Sequence, residues 1–145
     1  NDSTNNNGIS GSYSKKFIDV SSISTATVTV GAGGATATGG VTTGNDGGLS
    51  SWVDGTNTIS CMGGYGGGKL STLNTTPIVA SGGDINVNSS ASGNPIYGRM
   101  GVINSTITGI RDATGYGAGG GGNWSTYTGN SGAGSDGIVI VTEYK

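Results

Sequence analysis

Glycine supplies 32 of the 145 residues, and it comes in bursts: Gly31-Ala32-Gly33-Gly34, Gly63 to Gly68 around Tyr65, and Gly115 to Gly122 around Tyr116 and Ala118. Ordering a glycine costs more backbone entropy than ordering any other residue. A chain this rich in it therefore either stays disordered or uses the missing side chains to pack backbone against backbone. The segments between the bursts decide for order. Thr-Ala-Thr-Val-Thr-Val at Thr25 to Val30 and Ile-Val-Ile-Val-Thr-Glu-Tyr at Ile138 to Tyr144 are β-branched runs bounded by glycine, the pattern of strands.

Further strand candidates are Ser14 to Val20, Leu49 to Val53, Thr56 to Met62, Pro77 to Ala80, Asp84 to Asn88 and Gly101 to Thr108. No window holds the i, i+3, i+4, i+7 apolar spacing of a buried helix face, and Gly, Ser, Thr and Asn penalise helix throughout. The expected fold class is all-β, with short strands, glycine-rich turns and no long helix. The glycine bursts are open to two readings: turns between strands, or extended three-residue-per-turn segments that pack closely because they lack Cβ atoms. Gly117-Ala118-Gly119-Gly120-Gly121-Gly122 fits the second best. The pairs Gly39-Gly40, Gly47-Gly48 and Gly82-Gly83 read as turns. No fixed-length repeat unites the bursts, which argues against a regular solenoid.

Only 10% of residues are charged and 32% hydrophobic, so the core is small and main-chain hydrogen bonds must carry much of the cohesion. A net charge of −2, with six scattered basic residues and Lys15-Lys16 as the one basic pair, argues against nucleic-acid binding. No run approaches the roughly 20 apolar residues of a membrane span. The opening Asn1-Asp2-Ser3-Thr4-Asn5-Asn6-Asn7 reads as linker from a longer polypeptide, giving a polar linker over residues 1–12 and a folded domain over 13–145.

Histidine is absent and Cys61 is the single cysteine, which removes Ser-His-Asp triads, Cys-His pairs, histidine-ligated metals and internal disulfides. Cys61 reads as a small buried apolar residue. Gly63-Gly64-Tyr65-Gly66-Gly67-Gly68-Lys69 mimics a phosphate-binding loop, but Leu70 stands where a magnesium-binding Ser or Thr is required and no helix follows. The dinucleotide spacing of Gly117, Gly119 and Gly122 is expected by chance in such a tract, and Gly132 to Asp136 is one unrepeated half of a calcium-binding repeat. The carboxylates Asp19, Asp46, Asp54, Asp84, Asp112, Asp136 and Glu143 are dispersed, and Asp46 and Asp54 precede glycines as turn residues do. The expectation is a protein without catalytic residues, cofactor or metal.

Two stretches carry a resemblance. The first is Gly11-Ser12-Tyr13-Ser14-Lys15-Lys16-Phe17-Ile18-Asp19-Val20, followed by Thr27-Val28-Thr29-Val30-Gly31-Ala32-Gly33-Gly34-Ala35. The second is the tyrosine-glycine tract Gly115 to Gly122, followed by Gly132-Ala133-Gly134-Ser135-Asp136-Gly137 and the Ile-Val-rich end. In order and spacing, over about residues 8–145, they resemble the glycine-rich tip domain of bacteriophage tail fibres and of tail-fibre-like adhesins of bacterial surfaces. One departure is that the strand and glycine burst that usually precede the tyrosine-lysine segment are either missing or replaced by the asparagine run.

The resemblance implies an extracellular tip on a trimeric shaft, recognising a glycan or outer-membrane protein of a host or prey cell through loops on a glycine scaffold. A structural domain that caps or trimerises the fibre is the alternative. The most divergent intervals are Leu70 to Ala113 and Asn123 to Asn130. Within them Tyr97, Arg99, Asn123, Trp124 and Tyr127 are the candidate receptor-binding residues. Aromatic faces stack on sugars or fill pockets, and Arg and Asn add hydrogen bonds. The competing reading makes Trp52, Tyr97, Trp124 and Tyr127 core or subunit contacts. Ice binding, suggested by Thr25, Thr27 and Thr29, is disfavoured because Thr-x-Thr does not recur at a fixed period.

Overall fold

A computed structural model describes residues 8–38, 44–67, 77–89, 95–99, 101, 112–122 and 130–144. Eight short strands and no helix occur among them: β1 (Tyr13–Lys15), β2 (Thr27–Thr29), β3 (Ser50–Val53), β4 (Thr58–Cys61), β5 (Ala80–Ser81), β6 (Ile85–Val87), β7 (Gly98–Arg99) and β8 (Thr114–Gly115). The protein is all-β. A four-stranded antiparallel sheet has the order β2-β3-β4-β5, and β1 pairs with β6 and β7 with β8 in two-stranded ladders.

The larger part of the architecture lies outside these strands. Residues 131–137 and 31–37 run antiparallel, joined by Ser131 N to Ala37 O (3.0 Å), Gly134 N to Gly34 O (2.8 Å) and Gly137 N to Gly31 O (2.8 Å). The bonds recur at every third residue on both segments. That period belongs to an extended threefold helix, which makes no internal hydrogen bonds and must find all its partners in neighbours.

The same period joins 8–12 to 117–120, through Gly8 N to Gly120 O and Gly11 N to Gly117 O. It joins 8–12 to 62–65 through Ile9 N to Tyr65 O and Ser12 N to Met62 O, and 44–47 to 64–67 through Gly44 N to Gly67 O and Gly47 N to Gly64 O. Residues 118–121 receive Ser135 N and Gly132 N, and Gly48 N closes the circuit on Ala32 O. Each segment thus bonds to two others, and the succession of neighbours returns on itself.

Glycine is required where these backbones meet. A Cβ built on Gly31, Gly64 or Gly120 would overlap the carbonyl of Gly48, Ile9 or Gly132 respectively, atoms that cannot swing away as a flexible side chain can. The tract 117–122 is therefore scaffold, as the extended reading expects. Gly47-Gly48 corrects the turn reading, because both amides are spent on the lattice. Gly82-Gly83 keeps that reading: Gly82 has φ 79°, in the left-handed region, between β5 and β6. Gly39-Gly40 lies outside the described residues.

The boundary at residue 12 also moves. Residues 8–12, expected to be loose linker, hydrogen-bond to two scaffold segments, and Ser10 is buried at 3% exposure. The few side chains in 8–12 hide the segment from a reading based on hydrophobic runs. Residues 1–7 lie outside the described residues.

At one end of the lattice the segments pass into extended chain: 8–12 into β1, 44–48 into β3, and 131–137 into 138–144. In the opposite sense β4 enters 62–67 and β2 enters 31–37. The four-stranded sheet is amphipathic. One cross-strand row is Val28, Trp52 and Ile59; the next is Thr29, Ser51, Ser60 and Ser81. Among the described residues the hydrophobic core is slight, with Ile78 fully buried and Ala80 and Ala118 nearly so.

The candidate strand over 138–144 is not one in this structure, since it makes no ladder hydrogen bond. The candidate over 101–108 falls, apart from Gly101, outside the described residues.

Candidate functional site

The aspartates, the most obvious chemistry in the sequence, serve the backbone. Asp136 Oδ1 accepts Gly33 N (2.7 Å), Asp46 Oδ1 accepts Gly66 N (2.8 Å), Asp112 Oδ1 accepts Ala133 N (2.7 Å) and Asp84 Oδ2 accepts Phe17 N (2.8 Å). Asp19 Oδ1 accepts Ser21 N (2.9 Å), a bond that lowers the carboxyl pKa. Each substitutes a carboxylate for a carbonyl where the lattice or a turn leaves an amide unpaired.

Asp54 is the most heavily bonded. It closes the β3–β4 hairpin by accepting the indole N–H of Trp52 (2.9 Å) and the amides of Asn57 (2.6 Å) and Thr56 (2.9 Å). The Trp52 bond first, and the Asn57 amide next, hold its carboxyl well below the usual carboxylate range. Among the described residues no cluster of three or more His, Cys, Asp or Glu side chains is arranged to hold a metal.

The exposed chemistry beside these aspartates is aromatic. Tyr97 precedes β7 and Tyr116 follows β8, and the Tyr116 amide donates to the Tyr97 carbonyl at 3.0 Å, so the two-residue ladder of Gly98 with Gly115 and Arg99 with Thr114 fixes both tyrosines. Gly115, at φ 78°, permits this; a Cβ there would overlap the Tyr97 carbonyl. Tyr13, at the start of β1, stacks a tilted ring on Tyr97, centroids 6.4 Å apart and planes 53° from parallel.

Tyr97 and Tyr116 stay 49% and 46% exposed. Tyr97 is therefore only half-buried within the single chain. Arg99 is exposed on β7. Tyr97 and Arg99 stand out in the sequence as residues after a turn, whereas nothing local singles out Tyr13 or Tyr116 as their neighbours. Tyr116 was legible only as part of a glycine tract, and Tyr13 only as part of a strand. Asn123, Trp124 and Tyr127 lie outside the described residues.

The tyrosines border an open cavity of about 1060 Å³, whose wall also includes Trp52, Ile59 and Ile140. Trp52, the remaining aromatic candidate for the core, is half-buried there with its N–H spent on Asp54. Cys61 borders the same space and corrects the expectation of full burial: it is half-buried and free, and desolvation pushes its thiol pKa up, away from reactivity. Lys15 lies 4.9 Å from the centroid of the Phe17 ring, and Lys16 Nζ is 3.7 Å from Asp84 Oδ1, so the one basic pair is tied to its own surroundings.

Comparison with protein-family models, with curated proteins and with solved structures gives no match. Among the described residues no helix is long and apolar enough to cross a membrane.

Proposed function

We propose that this domain is the non-enzymatic receptor-binding tip of an extracellular trimeric fibre, recognising a cell-surface glycan or an outer-membrane protein. The observation that carries the reading is the separation of scaffold from surface. Glycine backbones and aspartate acceptors hold the fold, while Tyr97, Tyr116 and Arg99 stand exposed beside one another at the β7–β8 ladder, with the Tyr97 ring packed only against Tyr13 among the described aromatic rings. Rigid aromatic rings lose little entropy on binding, and they offer both a face for sugar CH groups and a hydroxyl. The described aspartates are committed to main-chain amides, which argues against a general acid and base pair.

The test is attachment to receptor-bearing cells by Tyr97→Ala, Arg99→Ala and Tyr116→Ala, with thermal unfolding of the same preparations. A true anchor costs about 2 kcal/mol or more of binding on truncation. Loss of attachment at unchanged stability supports the reading. Full attachment by all three variants removes recognition from this ladder.

Phe17 and Val20, 67% and 55% exposed just beyond β1, favour a second reading in which the domain caps or trimerises the fibre. Aspartate substitutions at both positions that dissociate the assembly, with attachment intact whenever the domain is tethered by other means, would assign the trimer contact to that edge.

A further inference from the structure

The chain from 138 to 144 combines the composition of a strand with an unpaired backbone. It carries no hydrogen bond, and Ile138, Ile140, Val141 and Tyr144 are 36%, 61%, 57% and 82% exposed. The edge of the four-stranded sheet is equally bare. β2 is exposed at all three residues and bonded on one side only, to β3, with Val28 and Val30 46% and 53% exposed. Leaving both edges open exposes two rows of main-chain donors and acceptors, a condition that sheets ordinarily relieve by pairing.

These two edges leave the lattice side by side. The antiparallel ladder of 131–137 on 31–37 ends at Gly137 N to Gly31 O (2.8 Å), with 138–144 continuing from one member and 24–30 preceding the other. We propose that 138–144 is a closing strap that docks on the free edge of β2 in the register this ladder imposes, as a fifth strand of the sheet.

That register places Ile138 opposite Val30, Ile140 opposite Val28 and Thr142 opposite Ala26. On the other face it sets Val139 opposite Thr29, Val141 opposite Thr27 and Glu143 opposite Thr25. Ile138 and Ile140 meet valines on one face, and on the other Val139 and Val141 meet threonines with Glu143 beside Thr25, whereas a slip of one residue in either direction would set Ile140 opposite a threonine and Ile138 opposite Thr29 or Gly31. Because Val28, Trp52 and Ile59 share a cross-strand row, docking adds Ile140 as its fourth member. Trp52, Ile59 and Ile140 already border one cavity, so the docked strap extends the apolar row that faces it. The inference does not depend on the receptor reading.

The test uses cysteine pairs in a Cys61→Ser background: Val28→Cys with Ile140→Cys, and Thr29→Cys with Val139→Cys. Directly opposed strand positions fall within disulfide reach, and one of the two pairs occupies the closer, non-hydrogen-bonded site. Mild oxidation should give an intrachain disulfide in at least one pair, at least tenfold faster than in the slipped control Val30→Cys with Ile140→Cys. Equal rates in both registers, no bridge in either pair, or bridges between copies would overturn the proposal. Hydrogen exchange on the unmodified protein guards against variants that fail to fold. Alternate amides of 138–144 should be protected as those of β3 are, and exchange at unfolded-chain rates throughout would likewise overturn it.

Discussion

The Gly134 amide donates to the Gly34 carbonyl at 2.8 Å, and each glycine stands in place for want of a side chain: a Cβ on Gly134 would press on the Gly34 amide at 3.2 Å. The stability of such a lattice should therefore respond to methyl groups more sharply than to lost apolar area. Gly120→Ala should cost on the order of 1 to 3 kcal/mol or more, because its Cβ would overlap backbone at Gly132 and Ala133. Gly55 supplies the contrast, with φ 86° and nothing within 4 Å of an added Cβ. Gly55→Asn should cost about 1 kcal/mol or less, since asparagine tolerates the left-handed region. Denaturant unfolding of the two variants would check this, and equal losses would refute the lattice argument.

Side-chain oxygens that stand in for lattice carbonyls should matter as much. Ser135 Oγ accepts the amide of Ala118, a residue 4% exposed. Ser135→Ala would strand that amide away from water, at about 1 to 3 kcal/mol. Ser135→Thr keeps the hydroxyl and should recover most of the loss in thermal melts.

The Asp54 carboxylate gives the β3–β4 hairpin a defined pH response. Its folded pKa is depressed from 3.8, chiefly by the Trp52 indole and then by the Asn57 amide. The stabilisation is therefore fully present above the unfolded value near 3.8, and is lost as pH falls through the lowered folded value. Trp52 fluorescence should stay constant from neutrality down to about pH 4 and change only in stronger acid. In Asp54→Asn that acid-induced change should disappear, with the hairpin weaker at neutral pH.

A fibre-tip role predicts self-association. Sedimentation equilibrium at micromolar concentration should give three times the chain mass of 14.0 kDa. Neighbouring subunits would then cover apolar residues, such as Phe17 and Val20, that a small core leaves outside. A monomer at that concentration would refute the trimer.

Several features of this protein are local, and the sequence determined them alone. Glycine, serine, threonine and asparagine disfavour helix by their propensities, and no helix occurs among the described residues. β-branched residues mark β2 and β4, Trp52 and Val53 mark β3, and Asp54-Gly55 and Gly82-Gly83 mark two turns, because a turn is decided within a few residues.

The lattice is different in kind. A threefold extended segment forms no bonds within itself, so its partners are chosen by distant chain, and only the tertiary structure showed that Gly47-Gly48 is scaffold and that residues 8–12 belong to the domain. The aspartates are alike in sequence, yet Asp54 serves its own turn while Asp136 serves Gly33. Tyr97 was legible as an aromatic after a turn. Its meeting with Tyr13 and Tyr116 depended on two ladders closing at one place, a matter of long-range hydrogen bonding that no local pattern encodes.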